Sequence, residues 1–173
     1  MTRLMSLAVL AAGALAVAAS AAHAASPTVL RLNGIGPLTL GMTRTAAVAT
    51  GWLGDRSTGC PLGGPPLPIT YRFTGAKAPA GIKGSAEFHN GRLRGLSFTH
   101  GVRTSTGVTV RKTTTARMVA RYRSAGFTAS ARFESTFQGT FVTVKKAGHE
   151  VVGGFAERRT VTILAIPAVP VCE

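Results

Sequence analysis

An Asn-Gly pair at the centre of GSAEFHNGRLRGLSF, residues 84–98, narrows the conformations open to this chain more than any other feature. Asn90 and Gly91 both tolerate the positive φ angles of a type I′ turn, the connection that matches the twist of two antiparallel strands. The flanking residues alternate, and a period of two sends Leu96 and Phe98 of the second arm to one face. A β-hairpin is therefore expected here, and with it an antiparallel sheet.

The rest of the chain reads as short strands and two short helices. Residues 28–32, 37–40, 69–73, 127–133, 137–144, 151–155 and 160–166 have strand length and β-branched or aromatic content. Thr43 is a good N-cap for a helix over about 44–50, with Gly51 as its stop. Thr114 or Thr113 can cap a second helix that Gly126 ends. Its residues Thr115, Met118, Val119 and Tyr122 fall at i, i+3, i+4 and i+7, one buried stripe. Residues 54–68 and 75–81 are rich in Gly and Pro and read as loops. Pro167 and Pro170 end regular structure.

A shift of 70 residues sets Leu38-Thr39-Leu40 on Val108-Thr109-Val110, Thr43 on Thr113, Ala46 on Ala116, Val48 on Met118 and Tyr71 on Phe141. The order strand, capped helix, strand, hairpin recurs, giving two divergent tandem units of about 28–100 and 101–173. Neither has enough core to be stable alone. The expected fold class is α+β: two helix-plus-antiparallel-sheet units packed as one domain, with the helices on one sheet face and the other face open.

The N-terminus reads as a secretory signal. Arg3 precedes an apolar run from Leu7 to Ala19, and Ala22-His23-Ala24 offers an A-x-A cleavage site. The run is too short to anchor in a bilayer. Residues 1–24 are expected to be removed after Ala24, leaving one secreted domain, residues 25–173, without a membrane span. Without Arg3 that domain holds 19 basic and 6 acidic residues, a net charge of +13 spread over both halves. Such a surface attracts anionic partners, although a GC-rich genome yields the same arginine bias without selection for binding. Cys60 and Cys172, in an oxidising compartment, are expected to form a structural disulfide. A closure of more than 100 residues is worth roughly 4–5 kcal/mol in the loop-entropy model. No C-x-x-C and no neighbouring histidine favours a redox or metal role.

Motifs for chemistry are sparse. Gly34, Gly36 and Gly41 in GIGPLTLGMT have neither dinucleotide-fingerprint nor P-loop spacing, and Pro37 removes one backbone donor. There is no G-x-S-x-G, no H-E-x-x-H and no close carboxylate pair. His89 sits beside the hairpin turn, and His100 with His149-Glu150 makes only a weak metal candidate. No catalytic, cofactor or metal residue is assigned, and no cofactor is expected. Arg111, Lys112, Arg117, Arg121 and Arg123 crowd the second helix and its approach as a possible surface for an anionic partner. Nucleic acid is disfavoured, because no aromatics are interleaved with them and no helical recognition motif is present. Trp52, the only tryptophan, reads as a core plug.

The pieces Gly41-Met42-Thr43, Cys60, Asn90-Gly91-Arg92, Gly101 to Tyr122 and Cys172 together resemble a family of small secreted actinobacterial proteins of unknown function. More distantly, the twice-used unit of GMT, short helix and antiparallel strands is similar to the β-lactamase-inhibitory-protein fold and to barrel-assembly lipoproteins. The resemblance implies a helix-on-sheet scaffold that binds proteins across a concave sheet, without catalysis. The inhibitory protein closes a short disulfide in each repeat, and the lipoproteins carry a lipidated cysteine. Both features are missing here, so no contact residue or target carries over. The expectation is a monomeric, secreted, non-enzymatic binding protein, inhibitor-like, whose partner is an extracellular protein. The alternative is a cationic binder of anionic cell-envelope polymer.

Overall fold

The computed structural model describes residues 27–59 and 66–171. The expected signal peptide and both cysteines of the expected disulfide lie outside the described residues. Eight strands form one antiparallel sheet in the order β4 (Gly54–Thr58), β5 (Ile69–Arg72), β6 (Lys83–His89), β7 (Arg92–His100), β12 (Ile163–Ile166), β11 (His149–Ala156), β10 (Gly139–Lys146), β9 (Thr128–Glu134). Residues 54–100 thus supply one half and residues 128–166 the other, joined where Leu96, Ser97 and Phe98 pair with Ile166, Ala165 and Leu164. A second sheet of four short strands has the order β3 (Leu38–Thr39), β2 (Gly34–Ile35), β1 (Thr28–Arg31), β8 (Val102–Thr104). Its β1–β8 pair is parallel.

Two helices complete the described residues, α1 (Arg44–Ala49) and α2 (Thr115–Ser124). Both begin at threonine caps: the Thr43 and Thr114 hydroxyls accept from the amides of Ala46 and Arg117, each at 3.3 Å. The entry to α1 is bound to the β6–β7 turn. Gly41 N–H donates to the Leu93 carbonyl, Leu93 N–H to that of Met42, and Arg44 N–H to that of Gly91. Asn90 and Gly91 have φ of 50° and 70°, as the type I′ turn requires. The entry to α2 is held to the β11–β12 connection by Thr115 N–H on the Arg159 carbonyl and Val161 N–H on that of Thr113.

The described residues are mainly β, with 48% of them in strands and 12% in helices. This corrects the expected α+β fold with helices packed as the layer on one sheet face. The reason lies in how little the helices bury: Ala47 alone from α1, and Met118 and Tyr122 from α2. The large sheet's inner face presents Ala86, Phe88, Leu96, Phe98, Val142, Val144, Val152, Leu164 and Ile166. Three helical side chains cannot cover that row. Leu30, Ile35, Leu38 and Val102 of the small sheet join the same buried cluster and close most of the core. The residues 37–40 and 28–32, taken as strands of a common sheet, belong instead to a separate covering sheet.

β4 is a further correction, since residues 54–68 read as a loop. GDRST has no apolar alternation and is exposed after Gly54. It is a strand because its backbone pairs with β5, with Arg56, Ser57 and Thr58 opposite Tyr71, Thr70 and Ile69. The register shifts between Gly54 and Arg56, where Asp55 takes φ 43°, a bulge that twists this edge.

Candidate functional site

Alternation fixes what the outer face of the large sheet carries. One row across the strands runs Arg72, Ser85, Ser97, Ala165, Gly153, Thr143, Ser130. It is nearly free of bulk, and the Ser85 and Ser97 hydroxyls meet at 2.9 Å. The neighbouring row holds Ile163, Phe155, Phe141 and Arg132. Phe141 packs between Phe155, at 4.9 Å between ring centroids, and Phe137, at 5.5 Å edge-on. All three rings are half-buried. Gly139 makes the cluster possible, because a Cβ there would lie 2.3 Å from the Phe155 ring. An Arg132–Glu134 ion pair of 2.9 Å borders the rings along β9.

The C-terminal segment crosses the middle of this face. A Cβ on Gly153 would lie 2.5 Å from the Val169 nitrogen and 3.0 Å from the Ala168 carbonyl carbon, so the strap rests directly on the β11 backbone. This cover explains why Ala165, on an outer-face position, is fully buried. Beside the strap, Ser85, Glu87, Arg94, Gly95 and Ser97 line a cleft of about 210 Å³ closed by Pro167 to Pro170. Neither the strap nor the cleft had a signal in the sequence beyond the two prolines.

Of the five basic residues singled out in the sequence, three are bonded to backbone carbonyls through their guanidiniums. Arg111 Nε donates to the Thr99 carbonyl at 3.1 Å, and Arg123 Nε to that of Ala129 at 2.9 Å. Arg121 Nη1 donates to the Gly107 carbonyl. These three guanidiniums therefore tie loops and strands to α2 or its approach. Arg117 and Lys112 are exposed. Arg117 and Arg121, at i and i+4, both line an open depression between α2 and residues 105–106.

The candidate catalytic and metal groups stay apart. His100 pairs with Lys83 at one end of the large sheet, and His149 with Lys146 at the other. Among the described residues no three His, Cys, Asp or Glu converge on a metal position. Partial burial, then the charges of Arg111 and Lys83, hold the His100 imidazole below its usual range. Burial raises Glu150, with Lys145 opposing. Tyr122 is raised by burial, opposed by the nearby Thr104 and Thr106 hydroxyls. Its hydroxyl is buried without a hydrogen-bond partner of ordinary geometry.

Two glycines of GIGPLTLGMT are accounted for by packing, and Gly41 by its φ of 86°. A Cβ on Gly34 would lie 2.0 Å from the Leu38 carbonyl oxygen, and one on Gly36 2.2 Å from the Trp52 ring. Gly36 also has φ 52°. Trp52 is half-buried and packs on the core edge at this turn. The loop holds an indole where a phosphate cradle would need open donors.

Compared with protein-family models, with curated proteins and with solved structures, the chain finds no match. Among the described residues no helix is long and apolar enough to cross a membrane.

Proposed function

We propose that this is a secreted, non-enzymatic interaction protein that binds another extracellular protein on the outer face of its large sheet, in the manner of an inhibitor. The observation that carries this reading is the half-buried run of Phe137, Phe141 and Phe155 beside Ile163, rimmed by Arg132 and Glu134. Aromatic anchors inside a polar rim are the composition of interface hot spots. Phe141 and Phe155 stand on a continuous hydrogen-bonded sheet, with Phe137 in the turn between β9 and β10, so little side-chain order is lost when a partner arrives. The signal-like N-terminus directs the chain to a compartment where such partners are met.

Phe141 is the central ring, so Phe141→Asp is the informative variant. The mature protein is used to capture partners from culture supernatant and envelope, with thermal melts confirming that the variant folds. The expected result is a captured protein that protects the amides of 137–143 and 153–155 from hydrogen exchange and is lost with Phe141→Asp. Equal capture by the variant, or protection elsewhere, refutes the assignment.

A further inference from the structure

We infer that the depression between α2 and residues 105–106 is a binding site for a phosphate group. It is lined by Ser105, Thr106, Arg117, Arg121 and Ser124, with Ala120 and Ala125 completing a smooth wall, and measures about 590 Å³. Every polar side chain in it is a donor or a hydroxyl. The acids of the described residues lie elsewhere, and Glu134 is already paired with Arg132 on the other side of the sheet. Two guanidiniums one helical turn apart with no carboxylate to neutralise them make a local field that favours a multiply charged oxyanion.

Arg121 and Thr106 are also held in place. Arg121 is fixed by its bond to the Gly107 carbonyl, which leaves its remaining N–H groups directed by that anchor and not by solvent. Thr104 Oγ1 accepts from Val108 N–H at 3.1 Å and lies 2.9 Å from Thr106 Oγ1. Either hydroxyl of this pair can donate, and in the arrangement where Thr104 donates to Thr106 the Thr106 proton is free to turn into the depression. Hydroxyls from one wall and arginines from the other approach from several directions, which suits a tetrahedral phosphate better than a planar carboxylate. The site is on the opposite side of the core from the aromatic face and does not rest on the protein-binding reading.

The test is a titration of the isotopically labelled mature protein with inorganic phosphate at constant ionic strength, followed by amide chemical shifts. Saturable shifts are expected at 105–107 and 117–125. Arg117→Gln should weaken binding at least about tenfold, the loss of one charge-assisted bond. Thr106→Val, which changes no charge, should weaken it several-fold, whereas Arg56→Gln, a cation on the far edge strand β4, should leave it unchanged. A parallel arm with a poly(glycerol phosphate) chain separates the sources. Similar affinity per phosphate assigns a free phosphate, and much tighter binding that still requires Thr106 assigns a polymer phosphodiester. Shifts spread over all basic surfaces, or equal effects of Arg117→Gln and Arg56→Gln with none from Thr106→Val, overturn the site and leave general cationic attraction.

Discussion

Gly153→Ala and Gly95→Ala apply the same chemical change to the same sheet face beneath the same strap, yet they should move stability in opposite directions. At Gly153 the new methyl would lie 2.5 Å from the Val169 nitrogen and 3.0 Å from the Ala168 carbonyl carbon, both backbone atoms. The chain has two ways to respond. It can distort locally, an overpacking cost of about 1–3 kcal/mol. It can instead release the strap, exposing Ala165 and most of the Val169 side chain. That is on the order of 100 Å² of apolar surface, or about 2.5 kcal/mol at 25 cal/mol per Å². The two routes agree on a loss of about 2 kcal/mol. At Gly95 the nearest atoms to a new Cβ are the Ile166 carbonyl oxygen at 3.7 Å and Glu87 Cβ at 4.0 Å, ordinary contacts. The backbone needs no positive φ there, so alanine should gain about 0.5–1 kcal/mol from lost unfolded-state freedom. Urea denaturation of both variants, with limited proteolysis at residues 167–171, measures the pair. The expected result is a lower midpoint and faster cleavage for Gly153→Ala, and an unchanged or higher midpoint for Gly95→Ala. Equal stabilities, with the strap equally resistant in both, would show that it does not rest on β11.

Three further outcomes follow from particular residues. Tyr122→Phe removes a buried hydroxyl without a partner, so stability by urea titration should be unchanged or up to about 1 kcal/mol higher; a clear loss would mean the hydroxyl has a strong partner. His100 is held below its ordinary value near 6.5, so its contribution is present above that pH and is lost as pH falls through the folded value; unfolding midpoints at pH 7.5 and 5 should differ more for wild type than for His100→Gln, and equal differences would refute the assignment. We propose that Cys60 and Cys172 are paired in the exported protein, so alkylation of the denatured, unreduced chain should add no mass, and a labelled Cys60 would defeat the pairing.

Much of the local structure was legible because its causes are local. Thr43 and Thr114 cap helices since their hydroxyls reach amides three residues on. Asn90-Gly91 makes the hairpin through its own φ angles, and the period of two sends Leu96 and Phe98 to one face, which the structure buries. Of the helical stripe, Met118 and Tyr122 are buried, while Thr115 and Val119 are only half-buried at its edge. The bonding of the basic cluster, by contrast, was not legible. Arg111, Arg121 and Arg123 reach carbonyls 12, 14 and 6 residues away, and proximity along the helix says nothing of such partners.

The sequence by itself determined the turns, the caps, the faces of individual strands and a compact antiparallel bias. Tertiary structure alone decided that exposed GDRST is a strand, that β7 joins β12, and that β1 pairs with β8 in parallel. It also decided that the C-terminal strap lies on Gly153 and that Phe137, Phe141 and Phe155 converge. Each of these last arrangements joins segments whose own residues satisfy no pattern until a distant backbone supplies the hydrogen bonds or the contact. The fold class turned on the same distinction. The helices were visible in the sequence, but how little of the core two short helices bury emerges only when the small sheet is seen covering the rest.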